Sequence, residues 1–203
     1  MWYPGAVYHV MNRGNRKDQI FIEEEDYIIF LKMLKKVQRK YPFRLISYCL
    51  MTNHIHLQIQ TINTPIGQIM QSLLLNYTKY FNQKYDLSGH LFQGRFTSEL
   101  IETDSYMMQT SRYIHLNPVK AKMVKMPKDY RWSSYCVYLG RRKCELTADE
   151  KILDYFSGNR ILYKQYVENN LYAEDVSEEI LRYEERVGHD NGEDQEPPPD
   201  IQN

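Results

Sequence analysis

The 203-residue chain holds only three cysteines, Cys49, Cys136 and Cys144. An odd number with no Cys-x-x-Cys spacing argues against a disulfide framework or a cysteine zinc site, so all three are expected to be reduced thiols with packing roles. No stretch approaches the ~18 uninterrupted apolar residues of a membrane span, and the N-terminus lacks the basic-then-apolar pattern of a signal peptide. No internal repeat is evident. These absences point to a cytoplasmic protein without membrane association. The apolar fraction, 42%, is ordinary for a globular chain, and the length suits one domain with an appendage.

Net charge is absent as well, with 26 basic and 26 acidic residues, but the balance conceals a segregation. Residues 1–143 hold 21 Lys and Arg against 10 Asp and Glu, a net +11, whereas residues 144–203 hold 5 against 16, a net −11. A basic domain of this size suits a polyanionic partner, and the acidic remainder suits a solvated appendage or a segment lying against the basic surface. Solvated faces account for either half equally well.

Hydrophobic spacing predicts the elements. Ala6 to Asn12 alternate as a strand, and Arg13-Gly14-Asn15-Arg16 follows as a turn with two cations. From Glu23 to Lys40, Tyr27, Phe30, Leu31, Leu34 and Val37 recur at helical spacing, with acids first and bases last as the helix dipole favours. Phe43 to Met51 and His54 to Thr61 form a hairpin around Thr52-Asn53. Pro65 opens a second helix, with Ile66, Ile69, Met70, Leu73, Tyr77, Tyr80 and Phe81 as its apolar stripe towards Tyr85. A glycine-punctuated loop, Gly89 to Gly94, leads into a strand at Arg95 to Ile101. A third helix starts at Asp104 as N-cap and ends near Asn117, because Pro118 disfavours helical geometry in the residue before it.

The order β-α-β-β-α-β-α suits an α+β sandwich of the ferredoxin-like type, an antiparallel sheet with helices on one face, plus an extra helix. Beyond Gly140, Thr147-Ala148-Asp149-Glu150 has capping-box form, and short amphipathic segments follow at Ile152 to Phe156, Ile161 to Val167 and Ile180 to Tyr183. The expected organisation is a domain at 1–143, an acidic helical appendage at 144–187 and a disordered tail at 188–203, rich in Gly, acids and Pro.

One motif carries chemistry. His54 and His56 lie two apart in a strand, so their imidazoles share a face and can share an ion. Alone, such a pair is weak evidence for a metal and more often lines a surface or satisfies local hydrogen bonds. Downstream, Tyr113 and Asn117 are one helical turn apart and face the same way. Two imidazoles and one amide oxygen leave coordination positions open for phosphate oxygens, which marks catalysis rather than structure. Imidazoles suit Zn, Mn, Fe or Ni, whereas phosphoryl enzymes commonly use Mg²⁺ or Mn²⁺, so the ion stays open. Tyr113 is one of 18 tyrosines, and only its position relative to Asn117 separates it from an ordinary core aromatic. A phenol has an unperturbed pKa near 10, so its attack on a phosphate needs a base or nearby positive charge.

Five ordered stretches together resemble the single-tyrosine HUH transposases. They are Tyr8-His9-Val10 with Arg13-Gly14-Asn15; Cys49 to Leu57; Gly89-His90-Leu91-Phe92-Gln93-Gly94-Arg95-Phe96; Tyr113-Ile114 with Asn117-Pro118-Val119; and Trp132-Ser133-Ser134-Tyr135. The third and fourth look most like the REP-associated branch, and the resemblance covers about residues 3–140. It implies a ferredoxin-like domain acting on single-stranded DNA near hairpins, with Mg²⁺ or Mn²⁺. It also implies His54, His56 and Asn117 as metal ligands, and Tyr113 as a nucleophile giving a 5′-phosphotyrosine and a free 3′-OH. Asn117 stands where simple insertion-element relatives often have glutamine. The covalent link would conserve the phosphodiester energy, so rejoining would need no ATP.

Arg13, Arg16, Lys17, Arg95, Arg112 and Arg131 lie within or beside the motifs and are the candidate phosphate contacts, with solvated charge as the alternative. Phe92, Phe96 and Trp132 could stack unpaired bases or pack in the core. The implied partner is single-stranded DNA with a REP-like hairpin, and the implied location is cytoplasmic, at the nucleoid of a bacterium. Monomer and homodimer stay open. The competing class is a non-catalytic single-stranded nucleic-acid-binding module on the same fold.

Overall fold

The computed structural model describes residues 2–169. The Ile180–Tyr183 segment and the 188–203 tail of the sequence reading lie outside the described residues. Four strands, β1 (Val7–Arg13), β2 (Phe43–Leu50), β3 (His54–Thr61) and β4 (Thr97–Ile101), form one sheet in the order β2-β3-β1-β4 with every neighbouring pair antiparallel. That is the ferredoxin-like order, with β1 and β3 central. β4 starts at Thr97, two residues later than the alternation suggested.

Alternation sorts the strand residues onto two faces. Tyr8, Val10, Leu45, Ile55, Leu57 and Ile59 are buried with Phe30, Leu34 and Val37 of α1 (Glu24–Lys40) and with Ile69, Met70, Leu73 and Tyr77 of α2 (Ile66–Tyr85). Asp26, fully buried, ties these helices together. It accepts from the Ile22 and Glu23 backbone N–H groups, both 2.9 Å away, and from Tyr80, Tyr85 and Lys84 of α2. Burial pushes its carboxyl up, but the donors outweigh that and hold it at about 2.

The opposite face is also covered, so helices are not confined to one side of the sheet. Val7, Ile46, Cys49 and Met51 pack there against α3 (Asp104–Lys120), α5 (Glu150–Leu153) and α6 (Arg160–Glu168). The described part of the acidic segment thus shares a core with α3, through Ile152, Leu153, Tyr163 and Val167. Tyr135 and Tyr138 of the short α4 (Tyr135–Tyr138) complete that core.

Three local expectations are corrected. The N-cap of α3 is Thr103, whose hydroxyl accepts from the Tyr106 N–H at 3.1 Å, and Asp104 is the first helical residue. The helix does not stop at Asn117 but runs through Pro118 to Lys120. Proline removes only one backbone donor, and the final turn is closed by Ala121 N–H to the Asn117 carbonyl and Met123 N–H to the Pro118 carbonyl, each 2.9 Å. Thr147 does not cap α5. Asp149 sits at the N-cap without a side-chain cap bond and pairs with Arg160 at 2.9 Å.

Candidate active site

The site is built where β1 ends and β3 begins. In the register of these strands Arg13 lies opposite His54, Met11 opposite His56 and His9 opposite Gln58, so His9, Arg13, His54 and His56 share the face towards α3. Gln58 anchors that helix, donating to the Met107 carbonyl at 3.0 Å while accepting from Ser47 at 2.8 Å.

Both imidazoles of the pair are oriented through Nδ1. Asn53 donates Nδ2–H to the Lys17 carbonyl at 3.1 Å, which turns its Oδ1 to His54 Nδ1 at 2.6 Å. An acceptor at that distance puts the proton on Nδ1 and leaves Nε2 with a bare lone pair. His56 Nδ1 lies 3.1 Å from His9 Nε2, and the two rings stack at 5.3 Å, so His9 supports His56 as Asn53 supports His54. Burial, then the Arg13 charge, pulls His54 down to about 4, against the opposing pull of the Asn117 side chain, whose amide oxygen accepts from the imidazole. Burial followed by the neighbouring His54, His9, Arg13 and Lys120 drives His56 well below its ordinary value. Neutral imidazoles are the form that binds metal.

Helix α3 brings the remaining groups. Tyr113 is 7% exposed and its ring meets His56 and His9 edge-on, at centroid distances of 5.5 and 5.7 Å. One turn later Asn117 directs Nδ2 back towards the Tyr113 carbonyl at 3.5 Å, leaving its amide oxygen for the His54 side. The four residues named from the spacing therefore converge. No group of three His, Cys, Asp or Glu side chains that could hold a metal occurs among the described residues. A donor set of His54, His56 and Asn117 contains only two residues of those types, and two neutral nitrogens with one amide oxygen fit a divalent cation that keeps open positions.

The candidate DNA-contacting cations divide into two groups. Arg13 stands beside the histidines, while Arg16 and Lys17 are exposed in the adjoining turn. The loop carrying exposed Arg95 is tied to the same end of β1, through Asn15 N–H to the Leu91 carbonyl and Gln93 N–H to the Arg13 carbonyl. Arg112 instead bonds the Tyr166 and Asn169 carbonyls at 3.0 and 2.9 Å, clamping the end of α6. Arg131 pairs with Glu24 and stacks on Trp132. Trp132 also stacks on Tyr27 at 4.5 Å, and Phe92 is buried. Sequence reasoning gave no role to His9, Asn53 or Lys120. His9 lies in an alternating strand and in the first of the five matched stretches, neither of which assigns it a role, and Lys120 lies beyond the expected helix end.

A ferredoxin-like sheet carrying neutral imidazoles, with a phenol and an amide delivered from one helix face and a cationic rim, is equipped for phosphoryl transfer. The sequence profile of the family described as Transposase IS200 like matches residues 3–117, and the chain belongs to this family of DNA-cleaving and rejoining enzymes. It is 32% identical over 126 residues to a Haemophilus influenzae protein assigned to the REP-associated tyrosine transposases, covering 54% of this chain and 69% of the relative. The REP-associated tyrosine transposase of Escherichia coli K12 is 25% identical over 159 residues, covering 78% and 93%. A solved structure of a REP-associated tyrosine transposase bound to a REP hairpin superposes with a TM-score of 0.59 at 21% identity, over 72% of this chain and 91% of that one. This likeness concerns the fold. No helix among the described residues is long and apolar enough to cross a membrane.

Proposed function

We propose that the chain is a metal-dependent single-strand DNA endonuclease and strand transferase acting beside REP-like hairpins, with Tyr113 as the nucleophile. The observation that carries this reading is the meeting of Tyr113 with His56 and His9 at ring-centroid distances under 6 Å, with Asn117 on the same helix face. His54, His56 and Asn117 would hold Mg²⁺ or Mn²⁺. When bound, the cation supplies Lewis-acid polarisation of the scissile phosphate.

The chain's own groups do the rest. Asn53 and His9 orient the two ligand rings, and burial keeps those rings neutral. Tyr113 is held against those rings, so little rotational freedom remains to be lost on attack. Its phenol oxygen bonds to phosphorus and the 3′ oxygen leaves with the electrons of the broken bond, giving a 5′-phosphotyrosine and a 3′-OH. The reverse step rejoins strands. Arg13, Arg16, Lys17 and Arg95 supply positive charge for the backbone around the scissile phosphate.

The test is a denaturing gel with a labelled single-stranded hairpin. Wild-type protein with Mg²⁺ or Mn²⁺ is expected to give a protein-linked DNA band and Tyr113→Phe none, with DNA binding kept within about threefold because one oxygen is removed and the basic rim is untouched. The same sequence as perfect duplex is expected to stay uncut. An adduct with Tyr113→Phe would overturn the nucleophile, and equal cutting of duplex would overturn the single-strand substrate.

A further inference from the structure

The continuation of α3 through Pro118 adds a third residue to the stripe of Tyr113 and Asn117. Lys120 is seven residues from Tyr113, two helical turns, and so returns to the same face. Its Nζ lies 4.8 Å from the centroid of the Tyr113 ring. The Tyr113 ring is thus bordered by the His9 and His56 imidazoles and by one ammonium. Lys120 itself is exposed while Tyr113 is buried, which sets the ammonium on the solvent side of the phenol. A cation in the last turn of a helix also suits the helix dipole, but that preference fixes neither the side of the helix nor the contact with the phenol.

We infer that Lys120 is a further catalytic residue, whose ammonium contacts the phosphate under attack and stabilises the charge that passes from the Tyr113 oxygen to the phosphorane and the phosphotyrosine. This rests on Tyr113 being the nucleophile. In the step, the Tyr113 Oη–P bond forms and the phenol proton passes to solvent water. The P–O3′ bond breaks, its electron pair goes to the 3′ oxygen, and that oxygen takes a proton from water. Lys120 stays protonated throughout and only donates hydrogen bonds. The arrangement resembles a fixed oxyanion-stabilising donor, pre-placed so that no reorganisation is needed when charge develops.

The experiment measures single-turnover adduct formation at saturating labelled hairpin DNA for Lys120→Gln, Lys120→Arg and Tyr113→Phe, with DNA dissociation constants and melting temperatures for each. Lys120→Gln, which keeps length and removes charge, is expected to slow adduct formation about 10- to 100-fold at saturation. Its affinity should stay within about threefold, since one phosphate contact among several is lost. Lys120→Arg restores the charge and is expected to recover the rate to within about fivefold of wild type. A helix-stabilising role alone would lower the melting temperature and leave the saturated rate and its rescue by arginine unmoved. A wild-type rate in Lys120→Gln, a loss confined to affinity, or an arginine variant as slow as the glutamine one overturns the inference. If Tyr113→Phe still forms adduct, the nucleophile reading and this inference fall together. If Tyr113→Phe is dead and Lys120→Gln is normal, only the inference falls.

Discussion

Helix α3 is fastened from behind by a chain of buried hydrogen bonds, and Tyr163→Phe cuts it at one atom. The Tyr163 hydroxyl lies 2.8 Å from Ser111 Oγ and 2.7 Å from His115 Nδ1, and His115 Nε2 continues to Ser134 Oγ at 2.7 Å. Ser134 in turn accepts from the Tyr48 N–H of β2. All four side chains are fully buried or nearly so. Removing the oxygen deletes two hydrogen bonds worth about 0.5–1.5 kcal/mol each and leaves a buried ring nitrogen without its partner, a further cost of about 1–3 kcal/mol. The expected destabilisation is roughly 2–6 kcal/mol, or a melting-temperature drop of about 4–24 °C for a domain of this size. Tyr155→Phe is the control: its hydroxyl bonds Asp104 at 2.7 Å but the residue is 41% exposed, so the loss is expected below about 1 kcal/mol. Thermal unfolding followed by circular dichroism in EDTA compares the two. A drop for Tyr163→Phe no larger than that for Tyr155→Phe would refute the claim that α6 secures α3.

His54→Ala and His56→Ala are each expected to abolish metal-dependent adduct formation, and wild-type protein in EDTA to match them. A rise in melting temperature on adding Mn²⁺ to wild type but not to either variant checks the same assignment without activity, and an equal rise in all three would sink it. His9 and His115 are held by burial at about 3, below the value near 6.5 of the unfolded chain. The unfolded state therefore takes up protons that the folded state refuses. Stability in EDTA should be intact above pH ~6.5 and fall towards pH ~3 by about 1.4 kcal/mol per pH unit for each histidine. Equal urea midpoints at pH 7 and pH 5 would contradict the burial of both rings. Deletion after Lys143 removes Ile152, Tyr163 and Val167 from the α3 core and is expected to yield insoluble or unfolded protein. Deletion after Asn169 removes 11 acidic and 2 basic residues. That shorter deletion should strengthen nonspecific single-strand binding at low salt, with the gain shrinking as ionic strength rises, and unchanged anisotropy titrations at both salts would remove the charge-competition idea.

Much of the fold was legible because its determinants are local. The period-two runs at Val7–Arg13 and His54–Thr61 and the stripes of α1 and α2 each point one apolar face to one core, and the structure follows them to within a residue or two. The histidine pair was legible for the same reason, since two residues apart in a strand is a statement about direction that needs no tertiary information. The supports of the pair were not. His9 meets His56 across 47 residues and Asn53 is fixed by the Lys17 carbonyl 36 residues away, separations on which periodicity is silent.

Pro118 shows how one local rule, applied correctly, can hide the residue proposed to assist Tyr113. The bias of a pre-proline residue against helical geometry is a preference of the isolated chain, modest beside what tertiary packing can supply. In α3 the competing term is large: Ile114, Leu116 and Val119 are all buried, and unwinding at Asn117 would expose Val119. Burying a valine is worth about 1.5–3 kcal/mol, enough to carry the helix one more turn. That extra turn is what sets Lys120 over Tyr113. A proline inside the helix removes one backbone donor next to Asn117, and the turn that carries Asn117 and Lys120 is still closed by the Ala121 and Met123 N–H groups. Ile114 and Leu116 share their core with Tyr163 and Val167 of α6, which makes the placement of Tyr113 and Asn117 depend on residues about fifty positions further along the chain.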